Sequence, residues 1–367
     1  MCRDFVWDGA SGEVLIVSKA DLAVMSKIRT RYGSFLTGED YKRLLQCTGV
    51  RQVASLLSAN PLFSGVLENM HEGIEHRGGL EALLKKAMYE NLASLCRFDS
   101  AISDDLYSYI IRYIEINCVI GLCLRSGAEQ TAAVRLTLPE YFREHIKLDF
   151  EPFLKSSTPR ALLDATRELT IFPSIKRFYM SSGEDENLSV DFTGLEAALF
   201  SDFYDLLFKG AEKYDKETRS SLEKMLGTSA DIHNLKTFWR CHKYYPESFT
   251  DIDSLVIHHG CHINKRNFHE LMNSDERGML AVLATTPYKS DTSDTSVRNR
   301  PFDSVLSGIL YSRCKKALRF SQGTPAVLAA YVLLLKIQHE DLTTIIESVR
   351  YDIPIDQRRE LIVSDVS

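Results

Sequence analysis

The stretch HHGCH, which begins at His258, holds the side chains in this sequence that are best suited to metal chemistry. His258 and His262 stand four residues apart with Cys261 between them, and imidazole and thiolate groups are common zinc ligands. His269 follows further along the chain. A structural zinc site usually takes four ligands from two spaced pairs, and no second pair accompanies this one. We therefore interpret the stretch as exposed imidazoles at a helix end or turn and assign no metal. A metal-dependent enzyme remains a hypothesis that zinc analysis would test.

Motifs of the common enzyme classes are absent from the sequence. It has no phosphate-binding loop of the GxxxxGK type, no GxGxxG fingerprint and no GxSxG nucleophile elbow. Asp104 and Asp105 form an acidic pair without a partner acid at helical spacing, which is typical of a solvated turn. Cys118 and Cys123 lie in an apolar segment and are expected in the core. The sequence therefore predicts no catalytic residue and no cofactor.

A polar pattern recurs near the ends of two long segments. Asp231, Asn234 and Arg240 lie in DIHNLKTFWR, and Asp341 and Arg350 take the matching places in DLTTIIESVR. The acid and the arginine of each segment are more than two helical turns apart, so they cannot touch each other, and each could reach a neighbouring helix or repeat. We favour a charge-assisted hydrogen bond that fixes helix crossings. The other interpretation is a polar site that faces another repeat or a partner.

Helical periodicity dominates the segments that must position these side chains. GLEALLKKAMYENL at 79–92 and GLEAALFSDFYDLL at 194–207 are near-copies, and PFDSVLSGILY at 301–311 repeats them more loosely. Apolar residues step by three and four in each copy, and the Gly or Pro ahead of each run predicts its start. One tyrosine recurs at the same place and is predicted to pack in the core with its hydroxyl at the rim. The three copies carry Tyr89, Tyr204 and Tyr311.

Further blocks recur in the same order, which indicates an internal triplication. LTGEDYKRL at 36–44 matches INKRNFHEL at 263–271, and a proline turn follows each. EINCVIGLCLR at 115–125 is a blurred first copy of the Asp231 and Asp341 segments. Such recurrence predicts three helical repeats. We place them at 1–134 with an N-terminal extension, at 135–247, and at 248–367 with a C-terminal tail.

Composition narrows the class of protein. The 367 residues carry a formal net charge of −6 with both signs interspersed, which argues against nucleic acid as the main partner. Eight scattered cysteines are typical of free thiols in a reducing compartment. The first residues, MCRDFVWDGASGEV, lack the apolar stretch of a signal peptide, and the apolar run at 326–335 is too short to span a bilayer. Strand-like alternation is nearly absent, so we expect a soluble, all-α protein.

Three segments carry a resemblance to a known family. They are KIRTRYGSFLTGEDYKRLL near the start, DIHNLKTFWRCHKYY in the middle and YVLLLKIQHEDLTTIIESVRYDIP at the end. Over roughly 20–355 the chain resembles the central-stalk connector of V-type and A-type ATPases, which eukaryotic, archaeal and bacterial pumps share. The resemblance implies three homologous helical repeats around a pseudo-threefold axis that form a funnel.

The same resemblance implies a role without chemistry. Such a connector links the central stalk to the membrane proteolipid ring for proton or sodium transport, and it is peripheral on the cytoplasmic face of the membrane. The family's polar site carries over to Asp231, Asn234 and Arg240, whereas Thr344 stands where the middle copy has Asn234. The alternative is a free-standing α-helical repeat scaffold for protein–protein interaction, which an open solenoid would favour.

Overall fold

The computed structural model describes most of the chain as short helices and long helices joined by turns. The described residues are 3–7, 14–68, 77–97, 104–124, 128–155, 158–182, 192–244, 255–263, 265–272, 274–292 and 300–364. Residue 125, the last residue of the predicted first copy at 115–125, lies outside these ranges.

An antiparallel hairpin opens the chain. β1 (Arg3–Trp7) pairs with β2 (Val14–Ser18), so that Arg3 lies opposite Ser18 and Trp7 opposite Val14. The sequence VLIVS is rich in β-branched residues, which pack well on an extended backbone. The all-α prediction is confirmed for the described chain, in which this two-stranded hairpin is the one β element.

Helices follow the hairpin along the described chain. They are α1 (Lys19–Tyr32), α2 (Gly38–Leu45), α3 (Val50–Ser58), α4 (Ser64–Leu67), α5 (Arg77–Cys96), α6 (Asp104–Leu124), α7 (Ala128–Thr137), α8 (Glu140–His145), α9 (Glu151–Lys155), α10 (Pro159–Ala165), α11 (Phe172–Ser182), α12 (Phe192–Ala211), α13 (Lys216–Tyr244), α14 (Lys265–Met272), α15 (Glu276–Leu283), α16 (Lys289–Thr292), α17 (Phe302–Phe320), α18 (Thr324–Arg350) and α19 (Ile355–Leu361).

The long helices form three consecutive pairs, α5 with α6, α12 with α13, and α17 with α18. Each GLEA-like run forms the first helix of a pair. The predicted start is right for Pro301, which directly precedes α17. It is wrong for Gly79 and Gly194, which lie inside α5 and α12, because the residues ahead of each glycine are already helical.

Short helices precede two of the pairs in the same order. The matched blocks at 36–44 and 263–271 place their helices, α2 and α14, two residues in from the block start. In α2 the Thr37 hydroxyl accepts the Asp40 backbone N–H, and the Asp40 carboxylate accepts the Thr37 N–H. This capping box satisfies backbone donors that the helix start would otherwise leave unpaired, so it fixes where α2 begins.

Contacts between the pairs follow a cyclic order. The second helix of each pair packs against the first helix of the next, α6 on α12, α13 on α17, and α18 on α5. Helix α18 also packs on α1 and α13. The last pair therefore touches the first one directly, rather than ending as a free edge.

Helix α18 is the centre of this arrangement. Every residue from 326 to 335 is buried, because α18 is surrounded by other helices over these turns. From Lys336 onward, half-exposed residues return at helical spacing, at Glu340 and Thr344. The helix thus passes from a fully packed core to the border of a water-accessible space. None of the described helices is long and apolar enough to cross a bilayer.

Candidate functional site

Asp231 is a completely buried carboxylate on α13. Its Oδ2 accepts hydrogen bonds from the backbone N–H groups of Cys261 at 3.0 Å and His262 at 2.8 Å. The Tyr288 hydroxyl donates to the same oxygen at 2.7 Å. The Asp231 side chain thus links α13 to two other parts of the chain, the segment before α14 and the turn before α16.

Asn234 lies one turn further along α13 and holds the same segment. Its amide donates to the Ile257 carbonyl at 2.9 Å, and its Oδ1 accepts the Ile257 N–H at 2.9 Å. The Asn234 side chain thus satisfies both the backbone donor and the backbone acceptor of one residue, Ile257. Asp231 and Asn234 therefore both hold the chain's own backbone, and the part that they hold is the irregular segment 257–262 rather than a crossing helix.

Two other buried acids make contacts of the same kind. Asp341 on α18 accepts the backbone N–H groups of Val363 at 2.9 Å and Ser364 at 3.0 Å. Glu115 on α6 accepts the backbone N–H of Thr170 at 3.1 Å. All three matched acids therefore bind backbone that lies well beyond their own helix in sequence, although Glu115 reaches a different place, the turn before α11.

Burial and hydrogen bonding act in opposite directions on the pKa of these three acids. Burial raises the pKa of Asp231 and Glu115, and raises that of Asp341 to about 6. The N–H donors act in the opposite direction, since they favour the carboxylate. Because the folded pKa of Asp341 exceeds the unfolded one, this group's contribution to stability falls as the pH rises from about 4 to about 6.

Gly260 provides a test of how closely the segment is held. A Cβ atom at this position would overlap the Asp231 carboxylate, whereas a Cβ on Gly65 in α4 would meet no atom within 4 Å. We expect Gly260→Ala to lower the free energy of unfolding by about 2 kcal/mol, since overpacking displaces the anchor. Gly65→Ala is the matched control and should be neutral or slightly stabilising. Urea unfolding measures both, and equal midpoints would contradict the close approach.

The histidine-rich stretch lies in the irregular segment before α14. His258 is exposed. His259 Nε2 lies 2.6 Å from Asp205 Oδ1, and its ring stacks on Phe208. His262 Nε2 lies 3.4 Å from a guanidinium nitrogen of Arg313. Among the described residues no group of three His, Cys, Asp or Glu side chains is placed to hold a metal ion. The side chain of His269 lies outside the described residues.

A charged cluster that sequence analysis missed lies where α13, α17 and α18 face one another. The Glu340 carboxylate lies 3.7 Å from Lys336 Nζ and 3.9 Å from Lys236 Nζ. Lys236 also donates to the Ser307 hydroxyl at 2.6 Å. The side chains of Lys336 and Glu340 are 42% and 43% exposed. Burial disfavours the charged form of each, but the attraction of nearby opposite charges outweighs it, so the pKa of Lys336 is raised and that of Glu340 is lowered. Water therefore reaches this cluster, although three long helices border it.

Titratable side chains of the other long helices act on this cluster. Lys85 of α5, Glu196 of α12 and His233 of α13 each respond electrostatically to Lys336. Burial raises the pKa of Glu196 and lowers that of Lys85. We call the set the polar interior. It consists of Lys85, Glu196, His233, Lys236, Lys336, His339 and Glu340.

The two histidines of the polar interior make stability depend on pH. Burial lowers the pKa of His339 to about 4, with Lys85 acting in the same direction, and lowers that of His233 to about 3. The unfolded chain therefore binds more protons between pH 6.5 and 4, so this contribution to stability is lost as the pH falls through that window. Between pH 7 and pH 5, we expect the free energy of unfolding of His339→Gln to fall by about 2 kcal/mol less than that of the unmodified chain. Thermal unfolding at both pH values measures this, and parallel losses would contradict it.

The three matched tyrosines occupy different surroundings. Tyr89 is fully buried and packs edge-on against Phe142. Tyr204 is buried and donates to the Ser229 hydroxyl at 2.7 Å. Tyr311 is half-buried and borders a cleft between α1 and α17. The matched sequence position thus lies in the core in two copies and at a surface cleft in the third.

The two matched arginines lie apart from the buried acids. Arg240 is exposed on the last turns of α13, and its charge acts on Glu196, His233 and Glu340. Arg240 therefore borders the polar interior rather than joining Asp231 and Asn234. Arg350 is exposed at the last residue of α18. The predicted grouping of acid, amide and arginine is thus divided in space.

Comparison with known protein families covers nearly the whole described chain. The chain matches the family model described as ATP synthase (C/AC39) subunit over residues 24–361. That range includes all the long helices and the polar interior. A comparison with curated protein sequences gives no match.

Proposed function

Because the chain belongs to the ATP synthase (C/AC39) subunit family, a family of rotary ATPase subunits, we propose that it is a non-catalytic rotor component. In this proposal it couples the central stalk to the membrane proteolipid ring of a V-type or A-type ATPase, for proton or sodium transport. It is peripheral on the cytoplasmic face of the membrane, with the central-stalk proteins and the proteolipid ring as partners and no nucleic acid or cofactor.

The single observation that carries the proposal is the cyclic packing of three helix pairs, with a charged, water-accessible cluster where α13 and α18 meet. The contact of α18 with α5 supports a closed arrangement of three repeats, with boundaries at 1–134, 135–247 and 248–367. In a pseudo-threefold funnel the polar interior would form the lining. A closed socket of packed helices is stiff, which suits the transfer of torque without slip.

The buried anchors have a defined place in this proposal. Asp231 and Asn234 lie on the second helix pair and hold residues 257–262, which belong to the proposed third repeat. Asp341 holds the C-terminal residues Val363 and Ser364 against the last pair. Hydrogen bonds between a buried acid and backbone resist sliding of one lobe on the next, since movement would leave donors unpaired.

The alternative of a free-standing helical scaffold predicts a different contact order. An open solenoid would pack each repeat only on its neighbours in sequence, leaving the first and last repeats apart. The packing of α18 on α5 favours the closed arrangement over that scaffold.

A pull-down of the tagged chain from its native membranes in mild detergent tests the proposal. Co-purifying chains are identified by mass spectrometry. We expect the proteolipid of the ring together with central-stalk proteins, the latter in near one-to-one proportion. Recovery of other partners alone, with neither ring nor stalk proteins, would overturn the rotor role and favour the scaffold.

A further inference from the structure

A pocket of about 320 Å³ opens where α12 ends and the first turns of α6, α13 and α18 converge. Its walls are apolar and belong to all four helices, with Tyr109, Phe203, Leu226 and Ala329 each at least nine-tenths buried. Tyr109 and Phe203 stack with ring centroids 5.6 Å apart, which gives one wall a flat, fixed face. The pocket is therefore preformed, and its volume falls within the roughly 300–1,000 Å³ of small-molecule sites.

The charged side chains that line this pocket are all positive. Arg112, Lys209 and Lys213 line it, and no Asp or Glu lies among its described lining residues. Lys209 and Lys213 are exposed, so they stand on the solvent side of the apolar walls. The first turn of α18 also borders the pocket through Pro325, and the positive end of a helix dipole adds to the same preference. The arrangement suits a ligand with an apolar body and an anionic end.

We propose that this pocket binds an anionic amphiphile of the fatty-acid type, a single alkyl chain that ends in a carboxylate. The alkyl chain occupies the space between Phe203, Leu226 and Ala329, and the carboxylate lies among the three cations. The inference rests on the volume of the pocket and on the positive charge of the side chains that line it. It does not depend on the proposed function.

Dodecanoate below its micelle concentration is the probe, titrated into the full-length chain by isothermal calorimetry. We expect saturable binding at one site. Dodecyltrimethylammonium has the same chain and the opposite charge, and it should bind at least tenfold more weakly. Absence of saturable dodecanoate binding, or equal binding of the two probes, would overturn the proposal.

Gly210 allows the pocket to be filled without a clash. It lines the pocket, and a Cβ added to it meets no atom within 4 Å. We expect Gly210→Leu to weaken dodecanoate binding at least tenfold, while Gly65→Leu, at an equally open helical position elsewhere, leaves it unchanged. Unchanged binding to a folded Gly210→Leu chain would place the probe elsewhere and overturn the assignment.

Replacement of the positive side chains at the pocket tests whether they bind the carboxylate of dodecanoate. The double variant Arg112→Gln, Lys209→Gln should weaken dodecanoate binding about tenfold, since charge-assisted contacts are lost, whereas exposed Lys147→Gln should not. If dodecanoate fails to bind and Gly210→Leu instead prevents co-purification of other ATPase proteins, the pocket belongs to a partner protein and the proposal is wrong.

Discussion

Replacement of Asp231 by alanine should lower the free energy of unfolding by about 4 kcal/mol. The change leaves three donors without their acceptor, the backbone N–H groups of Cys261 and His262 and the hydroxyl of Tyr288. These donors surround a carboxylate that has no solvent exposure, so water cannot replace it without local opening. Urea unfolding followed by circular dichroism measures the change.

Asparagine at the same position separates the loss of the acceptor from the loss of charge. All three bonds of Asp231 end on Oδ2, and Oδ1 is buried without a hydrogen-bond partner. Asp231→Asn keeps an oxygen acceptor there, so we expect a loss of only about 1 kcal/mol. Asp205→Ala is the matched control, because its carboxylate is 60% exposed and should contribute less than about 0.5 kcal/mol. An Asp231→Ala chain as stable as Asp205→Ala would show that the anchor does not hold the segment.

Charge reversal at Glu340 should reduce the recovery of central-stalk proteins at least tenfold in the membrane pull-down. Glu340 lies between Lys336 and Lys236, so Glu340→Lys would place three ammonium groups together on the polar interior. Like charges across a contact surface cost several kcal/mol of binding free energy. Because Glu340 and Lys336 are each about 40% exposed, the loss of folding stability should stay near 1 kcal/mol.

Controls distinguish loss of binding from loss of fold. Glu140→Lys makes the same charge change on exposed α8, away from the polar interior, and should recover the stalk normally. Thr344→Trp, on the same face of α18 as Glu340, should also reduce recovery, because it narrows the space without changing charge. Full stalk recovery with folded Glu340→Lys and Thr344→Trp chains would mean that the stalk does not contact this interior.

Much of the helical architecture could be predicted from the sequence. The apolar residues of each GLEA-like run repeat at helical spacing, a local property that neighbouring residues determine on their own. The matched blocks at 36–44 and 263–271 both contain helices, α2 and α14. The predicted helix starts were less accurate. Gly79 and Gly194 lie inside α5 and α12, because both helices begin at residues that precede these glycines.

For the candidate site, the sequence indicated the buried acids but not the groups that they bind. The recurrence of Asp231 and Asp341 marked them as special, and both are buried acceptors for distant backbone. Their partners could not be predicted, because the receiving groups are main-chain N–H groups that nearly every residue type carries. Cys261 and His262 drew attention as possible ligands through their side chains, whereas the bonds that matter here come from their backbone.

The sequence by itself determined most of the helices and the family, because helical periodicity and the family's sequence blocks depend on residues that are close together in the chain. Only the tertiary structure decided that Lys236, Lys336 and Glu340 meet in one water-accessible cluster, whereas in sequence they are three ordinary charges on helix faces. A charged side chain obeys the same local pattern whether or not a charge of another helix lies beside it. Which charges meet depends on the packing of helices that are far apart along the chain.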